Sequence, residues 1–231
     1  MKCVTKVSNK TINIFYDVNI KCNEFEVVIL NTYSDSGSEI WNKVKLITDK
    51  KYILVTISNI NWNKDLSPWY MNRLYKNDQD YSGDADLYIN DLANVIIPKV
   101  NDIITNYIGY KVLNYILAGY SLAGLFAIYS LYKTNIFSKI VSCSGSFWYP
   151  NFVKFVQKNK LSNIPNKVYF SLGNKEHKTN NVMMSKVKDN TLILKELYDN
   201  YGINTIYEEN EGNHFKDINN RIAKGISSIL D

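Results

Sequence analysis

A serine set in a corner of small residues is the first place in this sequence where chemistry could occur. Ser121 lies in "LAGYSLAGLFAIYS", residues 117–130, between Gly119 and Gly124. An apolar run typical of a strand ends here, and a helical pattern follows it. The small residues either let a helix pack closely against a strand or hold the hydroxyl group in a tight turn as a nucleophile. The form Gly-x-Ser-x-x-Gly between strand and helix resembles a nucleophile elbow, with Ala123 where a second glycine is usual.

A nucleophilic serine needs a base that takes its proton, and the chain has two histidines. His214 lies in "EENEGNHFKD", after the last predicted strand and before the last predicted helix. His177 lies in "LGNKEHKTN", after the preceding strand. In the chain order serine, acid, histidine, the base belongs in the loop that contains His214. We therefore predict that His214 is the base and that His177 is an exposed loop residue.

The base in turn needs a carboxylate that holds its tautomer and stabilises the imidazolium. The acid is expected after the strand that precedes the histidine strand, and Glu176 in "YFSLGNKEHK" stands there, three residues beyond Gly173. Asp is commoner in this role, and Glu is an accepted variant. Asp189 lies too far along the next helix, and Asp217 follows the histidine instead of preceding it. The predicted set is Ser121, Glu176 and His214.

Strands and helices must alternate to bring these residues together, and from residue 51 onward the predicted elements do alternate. Predicted strands lie at 11–20, 25–30, 51–58, 112–119, 138–145, 166–174 and 203–210. Predicted helices lie at 84–107, 122–133, 180–201 and 215–230, with shorter helices within 31–47 and 151–159. Pro98 is expected to kink or break the helix at 84–107. This order predicts a single α/β domain over 1–231, in which a mostly parallel sheet carries helices on both faces and the first strands form an antiparallel edge.

The composition excludes several classes of protein. The chain has 231 residues, of which 45% are hydrophobic and 21% are charged, as in ordinary globular proteins. Its net charge is only +5, and the basic residues are scattered, so we expect no nucleic-acid partner. No apolar run approaches the roughly 20 residues that span a bilayer, and no signal-peptide core is present, so we expect a cytoplasmic protein without a membrane partner. The three cysteines match no metal or redox motif, and we predict neither a metal nor a cofactor.

Four stretches together resemble one family of proteins. These are "KDLSPWY" (64–70), "GYSLAGLFAIY" (119–129), "SCSGSFWYP" (142–150) and "LGNKE" (172–176). They are similar to the Arg-Asp-x-Thr-Pro, Gly-His-Ser-Leu-Gly-Gly-Leu-Phe, Ser-Pro-Ser-x-Trp-Trp and Gly-x-x-Glu stretches of an esterase branch of the α/β-hydrolases. That branch includes esterase D and the enterobactin-type siderophore esterases. The resemblance covers residues 25 to about 220.

The resemblance implies an α/β-hydrolase fold and a serine esterase that cleaves a small-molecule carboxylic ester through a Ser-His-Glu triad and an acyl-enzyme. Two backbone N–H groups would bind the oxyanion. We expect one from Leu122 and the other from Tyr33, with Thr32 as the close alternative. Siderophore esterases tend to have arginines just before their Asp-x-Thr-Pro stretch, where this chain has Trp62 and Lys64. Because lysine does not reproduce the rigid fork of arginine, this difference weakens the case for an iron-siderophore substrate.

Two aromatic-rich segments are expected at the carboxyl ends of the strands, where open α/β sheets bind ligands. One is the long irregular segment 59–84, and the other is "SGSFWYP", 144–150. We predict that they form an apolar pocket for an aromatic or medium-length acyl group, with a basic residue at its rim. The predicted substrate-binding residues are Trp62, Lys64, Trp69, Arg73, Trp148 and Tyr149.

Two other functions remain open from the sequence. An acyltransferase would use the same acyl-enzyme and pass the acyl group to an alcohol instead of water. A non-catalytic binding protein could keep the three residues as relics. The sequence does not predict the oligomeric state or the physiological ester.

Overall fold

The centre of the protein is one mixed β-sheet. The computed structural model describes residues 1–18, 22–33 and 37–231, and eight strands in these ranges pair side by side. They are β1 (Lys2–Val7), β2 (Lys10–Phe15), β3 (Glu24–Asn31), β4 (Tyr52–Ser58), β5 (Lys111–Tyr120), β6 (Phe137–Cys143), β7 (Lys167–Gly173) and β8 (Asn204–Asn210). Their spatial order is β1-β2-β4-β3-β5-β6-β7-β8. Strand β2 pairs antiparallel with β1 and β4, and the other pairs are parallel, which confirms the predicted mostly parallel sheet. The antiparallel edge consists of β1 and β2, whereas β3, the second predicted strand, lies inside the sheet and is parallel to both of its neighbours.

Helices cover both faces of this sheet. They are α1 (Gly37–Ile47), α2 (Trp62–Asp65), α3 (Ala85–Asp91), α4 (Ile97–Asp102), α5 (Leu122–Ser130), α6 (Phe152–Lys158), α7 (Val187–Asn200) and α8 (Ile218–Ile229). Buried side chains of α1 and α8 pack against one face. Buried side chains of α3 to α7 pack against the other. Among the described residues, no helix is both long and apolar enough to cross a membrane.

The helical path around Pro98 is not broken at the proline, and its hydrogen-bonding pattern changes there. Two π-helical segments, Leu92–Ile96 and Ile103–Ile108, alternate with α3 and α4, so one helical path runs from residue 85 to 108. Pro98 lies in the first turn of α4, directly after the first π-helical segment. Because proline has no N–H to donate, the wider π turn accommodates it where a regular α-helix would lose a hydrogen bond.

Three other boundaries differ from the sequence predictions. Strand β1 was not predicted, because its side chains alternate between exposed and half-buried and half of its residues, Lys2, Thr5 and Lys6, are polar. The predicted strand 11–20 ends at Phe15, and its residues 19–20 lie outside the described part of the chain. The predicted helix 180–201 begins only at Val187, after a single turn of 3₁₀-helix at Met184–Lys186.

The carboxyl ends of the parallel strands lie in register at one edge of the sheet. Asn31 of β3 pairs with Gly119 of β5, and the neighbouring Tyr120 pairs with Cys143 of β6. At the next pair of strands, Gly173 of β7 faces the last residue of β8. The loops after β3, β5, β7 and β8 therefore leave the sheet at the same edge, where open α/β sheets bind ligands.

Candidate active site

Ser121 occupies a strained turn between β5 and α5. Its backbone has φ 58° and ψ −122°, a conformation that residues with a side chain rarely adopt. The Ser121 N–H donates to the carbonyl of Cys143 at 3.0 Å, and the Ser121 carbonyl accepts from the N–H groups of Gly124, Leu125 and Ser146. These bonds hold the turn in place, and such over-determined strain is concentrated at functional sites.

The small residues around Ser121 also serve packing. A Cβ atom at Gly119 would lie 2.2 Å from the carbonyl oxygen of Ala123, which leaves no room for a side chain. A Cβ atom at Gly124 would lie 3.0 Å from Ser142 Oγ and 3.1 Å from Gly145 Cα, so this position is tight but less severe. The two explanations of the serine corner are therefore compatible, because the close approach of α5 to β5 is what creates the turn.

The three side chains of the predicted triad form one chain of hydrogen bonds. His214 Nε2 lies 3.0 Å from Ser121 Oγ, and His214 Nδ1 lies 2.7 Å from Glu176 Oε2. The carboxylate side chain is 3% exposed and the imidazole is 27% exposed. The serine hydroxyl also lies 3.3 Å from Ser146 Oγ. This order of nucleophile, base and acid is the arrangement that activates a serine hydroxyl.

Glu176 is held by donors on its other oxygen. Oε1 accepts hydrogen bonds from the Gly173 N–H at 2.6 Å, from the Ser144 hydroxyl at 2.7 Å and from Arg221 Nη1 at 2.9 Å. Burial by itself raises the pKa of Glu176, but the hydrogen bond and charge of His214 and the Gly173 and Ser144 donors outweigh it and lower the pKa below its ordinary value. The acid is therefore kept ionised beside the imidazole.

Arg221 and Tyr120 are site residues that the sequence did not reveal. Arg221 projects from α8, is 2% exposed, and reaches both Glu176 and the Tyr120 hydroxyl. The Tyr120 hydroxyl donates to the His214 carbonyl at 2.6 Å. The available signal was a lone arginine on the apolar face of the last helix, one position before Ile222 and four before Gly225, in a chain with two arginines.

The two candidate oxyanion donors on the loop after β3 differ in their hydrogen bonding. The Thr32 N–H already donates to the carbonyl of Ile57 at 2.9 Å, which leaves Tyr33 as the better candidate of the two. Leu122 is the first residue of α5, where a helical N–H has no acceptor within its own helix. Tyr33 borders the same cavity as Ser121.

Two cavities meet at Ser121 and His214. The larger has a volume of about 610 Å³ and lies between the loop after β3 and the start of α8. The smaller has a volume of about 370 Å³. The larger is bordered by Tyr33, Trp62, Tyr120, Asp217, Asn219 and Ile222 among others. Among the residues that border the smaller cavity are Leu74, Tyr75, Tyr81, Trp148, Lys175, Lys178, Met184 and Val187.

The six predicted substrate-binding residues divide between these cavities and other places. Trp62 borders the larger cavity and Trp148 the smaller. Trp69 donates its indole N–H to the carbonyl of Pro150, and the buried Tyr149 donates its hydroxyl to the carbonyl of Trp69. The Trp69 ring packs against Tyr149, Phe152 and Phe155, and the Tyr149 ring also packs against Tyr81 and Trp148. Neither Trp69 nor Tyr149 is among the described residues that border a cavity.

The two predicted rim cations also lie elsewhere. Lys64 pairs with Asp84 at 3.6 Å, and Arg73 Nε lies 3.8 Å from Asp80. Neither is among the described residues that border the cavities, and these exposed pairs belong to the surface of the 59–84 segment. The basic residues that border the two cavities are instead Lys43 at the larger and Lys175 and Lys178 at the smaller, and sequence reasoning did not select them.

His177 is not part of the chain of hydrogen bonds. It is half-buried, its Nδ1 has no hydrogen-bond partner in the described ranges, and it does not border either cavity there. In the same ranges, no cluster of three or more His, Cys, Asp or Glu could hold a metal ion.

Comparison with known proteins gives the family. The profile of the family described as "Putative esterase" matches residues 41–218, well over half of the chain. The chain is 26% identical over 178 residues to "Uncharacterized protein YbbA" of Bacillus subtilis strain 168. The aligned region covers 71% of this chain and 70% of that protein.

Two solved structures show the same fold at low identity. An IroE-like serine hydrolase from Shewanella oneidensis has a TM-score of 0.82 and 16% identity, over 99% of this chain and 79% of the other. The siderophore hydrolase EstA from Aspergillus nidulans has a TM-score of 0.72 and 16% identity, over 98% and 91% of the two chains. With the family profile across most of its length, the chain belongs to this esterase family, and it is a carboxylic ester hydrolase with the α/β-hydrolase fold.

Proposed function

We propose that the protein is a serine esterase that works through an acyl-enzyme. His214 Nε2 takes the proton of Ser121 as its Oγ attacks the ester carbonyl. Glu176 accepts a hydrogen bond from Nδ1–H, which fixes the tautomer and stabilises the imidazolium. The tetrahedral intermediate collapses when His214 returns the proton to the alcohol that leaves. Water then attacks the acyl-Ser121 ester with the same base, and the free acid departs.

The backbone N–H groups of Leu122 and Tyr33 are proposed to bind the negative oxygen of both tetrahedral intermediates. Donors that point at the developing charge lower the barrier without rearrangement during the reaction. The N-terminus of α5 adds its partial positive charge at the same place. The hydrogen bond from the Thr32 N–H to Ile57 supports Tyr33 over its neighbour.

The observation that carries this proposal is the continuous chain of short contacts, Glu176 to His214 to Ser121, with the serine in a strained turn. A serine that served packing alone would not require a base and a buried acid in line with it. The two adjoining cavities provide separate space for the acyl and alcohol parts of an ester.

The proposed substrate is a small-molecule ester with an aromatic or medium-length acyl group in the smaller cavity. Trp148 and Tyr81 supply aromatic walls there, and Lys175 and Lys178 can meet an anionic group at its edge. Structures with the same fold include siderophore hydrolases, which makes catecholate esters a part of the test panel. The pairing of Lys64 with Asp84 does not favour an iron-siderophore ligand at that position.

The test is hydrolysis of a panel of acyl, aryl, acetylated-sugar and catecholate esters by the wild type and by Ser121→Ala. The variant is expected to lose on the order of 10⁴-fold in rate. Ser130→Ala, a change of another buried serine in α5, is the matched control and should keep its activity. A Ser121→Ala variant with more than a tenth of wild-type activity would reject Ser121 as the nucleophile. Products analysed with added alcohols distinguish hydrolysis from acyl transfer.

A further inference from the structure

The buried Arg221 connects Glu176, the loop that carries His214 and the end of β5 beside Ser121. Nη1 of Arg221 lies 2.9 Å from Glu176 Oε1, 3.1 Å from Tyr120 Oη and 3.2 Å from Ser144 Oγ, so its two hydrogens are shared among these three acceptors. Nη2 donates to the backbone carbonyls of Glu211 at 3.1 Å and Asn213 at 2.9 Å. One guanidinium group therefore holds β5, the start of the loop after β6, the acid and the loop that carries His214.

Stability alone does not explain a cation at this position. Burial removes the hydration of the charge, and an apolar side chain of similar volume is often as stable as a buried ion pair. Nε of Arg221 is buried and has no acceptor among the described residues, so the hydrogen bonding of the group is incomplete. The surrounding face of α8 is otherwise apolar, with Ile222, Gly225 and Ile226 buried. The position would suit a methionine or leucine if packing were its only task.

The geometry matches a role in orientation. Because Arg221, Ser144 and the Gly173 N–H all hold Oε1, the carboxylate of Glu176 cannot rotate freely, and Oε2 stays directed at His214 Nδ1. The bonds to Glu211 and Asn213 fix the backbone directly before His214.

The Tyr120 hydroxyl completes this arrangement on the other side of the imidazole. It accepts from Arg221 and donates to the carbonyl of His214 itself. Its ring centroid lies 5.3 Å from that of the imidazole.

We propose that Arg221 is a positioning residue for ester hydrolysis, which sets the orientation of Glu176 and of the His214 loop and offsets the carboxylate charge. This inference rests on the proposed function of Ser121, Glu176 and His214. Arg221 is buried and is not among the described residues that border either cavity, so it is expected to act on turnover more than on binding.

The charge of Arg221 gives the proposal a signature in the pH profile. The titratable groups that face it are Glu176 and His214 in the loops, Tyr120 on β5 and Cys143 on β6. Burial raises the pKa of Tyr120 and of Cys143 to about 12, so both stay neutral in the working range.

Two further charges, Glu211 and Lys216, pair with each other at 3.0 Å at the surface, and Glu208 on β8 pairs with Lys224. Without Arg221, the Glu176 charge beside His214 is no longer offset, which favours the imidazolium. The fall of kcat/KM at low pH, called here the acidic limb of the pH profile, should then move to higher pH.

Two substitutions of Arg221 separate charge from geometry. Arg221→Met removes both and is expected to lower kcat by roughly tenfold to a hundredfold, with KM within about threefold. It should also move the acidic limb to higher pH. Arg221→Lys keeps a charge but cannot bond to the acid and to two carbonyls at once. It is expected to lower kcat with the acidic limb in place.

Two more variants guard against a general effect of destabilisation. Lys139→Met removes another buried cation, which pairs with Glu26 at 2.7 Å and lies near the start of β6, away from the site. It should lower the melting temperature without a change in kcat or in the acidic limb. Tyr120→Phe removes only the hydroxyl between Arg221 and the His214 carbonyl, and should lower kcat by about threefold to tenfold.

These experiments distinguish an error in the proposed role of Arg221 from an error in the proposed function of Ser121. If Ser121→Ala stays active, the proposed function is wrong. If Ser121→Ala is inactive but the Arg221 variants keep wild-type kcat, only the positioning role is rejected. A Lys139→Met variant that changes kcat and the acidic limb as much as Arg221→Met would reject it as well. If Arg221→Met does not fold, the other two variants decide. A wild-type kcat in both Arg221→Lys and Tyr120→Phe would then reject the positioning role of Arg221.

Discussion

The Oγ atom of Ser121 lies 3.0 Å from Nε2 of His214, although 93 residues separate them in the chain. The contact exists because β5 and β8 run parallel in one sheet, and the loops that follow them leave at the same edge. The serine is fixed by its strained turn, and the histidine by the hydrogen bonds of its loop. The parallel sheet therefore brings Ser121 and His214, which are far apart in the sequence, within hydrogen-bond distance.

The two histidines should differ sharply in their effect on turnover. His214→Ala removes the base, and we expect it to be about as damaging as Ser121→Ala, with little further loss in the double variant, because the two residues act as a unit. His177→Ala serves as the matched control, since His177 does not contact Ser121 or Glu176 side chains in the described structure, and its effect should be mild. Steady-state kinetics of the three variants check this. A larger loss from His177→Ala than from His214→Ala would reverse the assignment.

Glu176→Gln should lower turnover by about 10²–10⁴-fold while the chain stays folded. The amide still fits the space beside Ser144 and Arg221, but it cannot stabilise the imidazolium as a carboxylate does. Activity measurements together with circular dichroism check both parts. Near-normal turnover would indicate a serine–histidine dyad or another acid.

The same carboxylate predicts how stability depends on pH. The pKa of Glu176 is lower in the folded protein than its ordinary value, so ionisation of this group favours the folded state. Its contribution is complete above the ordinary Glu pKa of about 4.3 and is lost as the pH falls through the lower, folded value. The difference in unfolding free energy between wild type and Glu176→Gln should therefore shrink on acidification. Urea denaturation from pH 7 to about pH 2, which includes the range below the ordinary Glu pKa, measures it, and a constant difference over that range would count against the ionised, stabilised acid.

The proximity of the candidate site residues could be expected from the sequence to the extent that it depends on chain order. Ser121, Glu176 and His214 each follow a predicted strand, and strand ends of a parallel sheet must meet, so their proximity could be expected before the structure. The fold itself was predictable for the same reason, because alternating apolar runs and helical patterns indicate a parallel sheet. Strand β1 was not predicted because a partly polar, half-exposed strand has only a weak hydrophobic pattern.

The cavity walls could not be predicted to the same extent. Trp69, Tyr149 and Trp148 lie in similar aromatic stretches. Trp69 and Tyr149 pack against each other and against further aromatic rings without bordering a cavity, whereas Trp148 contacts Tyr149 and also borders a cavity. Composition does not distinguish these environments, since an aromatic ring packs in a core as well as it lines a pocket. Arg221 was not predicted to be a site residue because arginine side chains are usually exposed, and a buried one is not expected from the sequence.

The acyl preference should depend on Trp148. The wild type is expected to prefer aromatic or medium acyl esters over acetyl esters by at least roughly tenfold, which requires about 1.4 kcal/mol of differential binding. Trp148→Ala should reduce this ratio more than it slows acetyl-ester turnover. Trp62→Ala, on the other cavity, is the comparison and should leave the acyl ratio largely unchanged. Equal turnover of acetyl and aryl-acyl esters by the wild type would reject the acyl pocket.

The central claim, that Ser121 is the nucleophile, is tested most directly by mapping a covalent adduct. A fluorophosphonate reacts with an activated serine, and intact mass followed by peptide sequencing locates the modified residue. The account predicts one adduct on Ser121 in the wild type and in Ser146→Ala, which lacks the nearest other hydroxyl. It predicts none in Ser121→Ala and a much slower reaction in His214→Ala. An adduct on Ser146 or undiminished labelling of folded Ser121→Ala would contradict it, as would an unlabelled wild type that still hydrolyses esters.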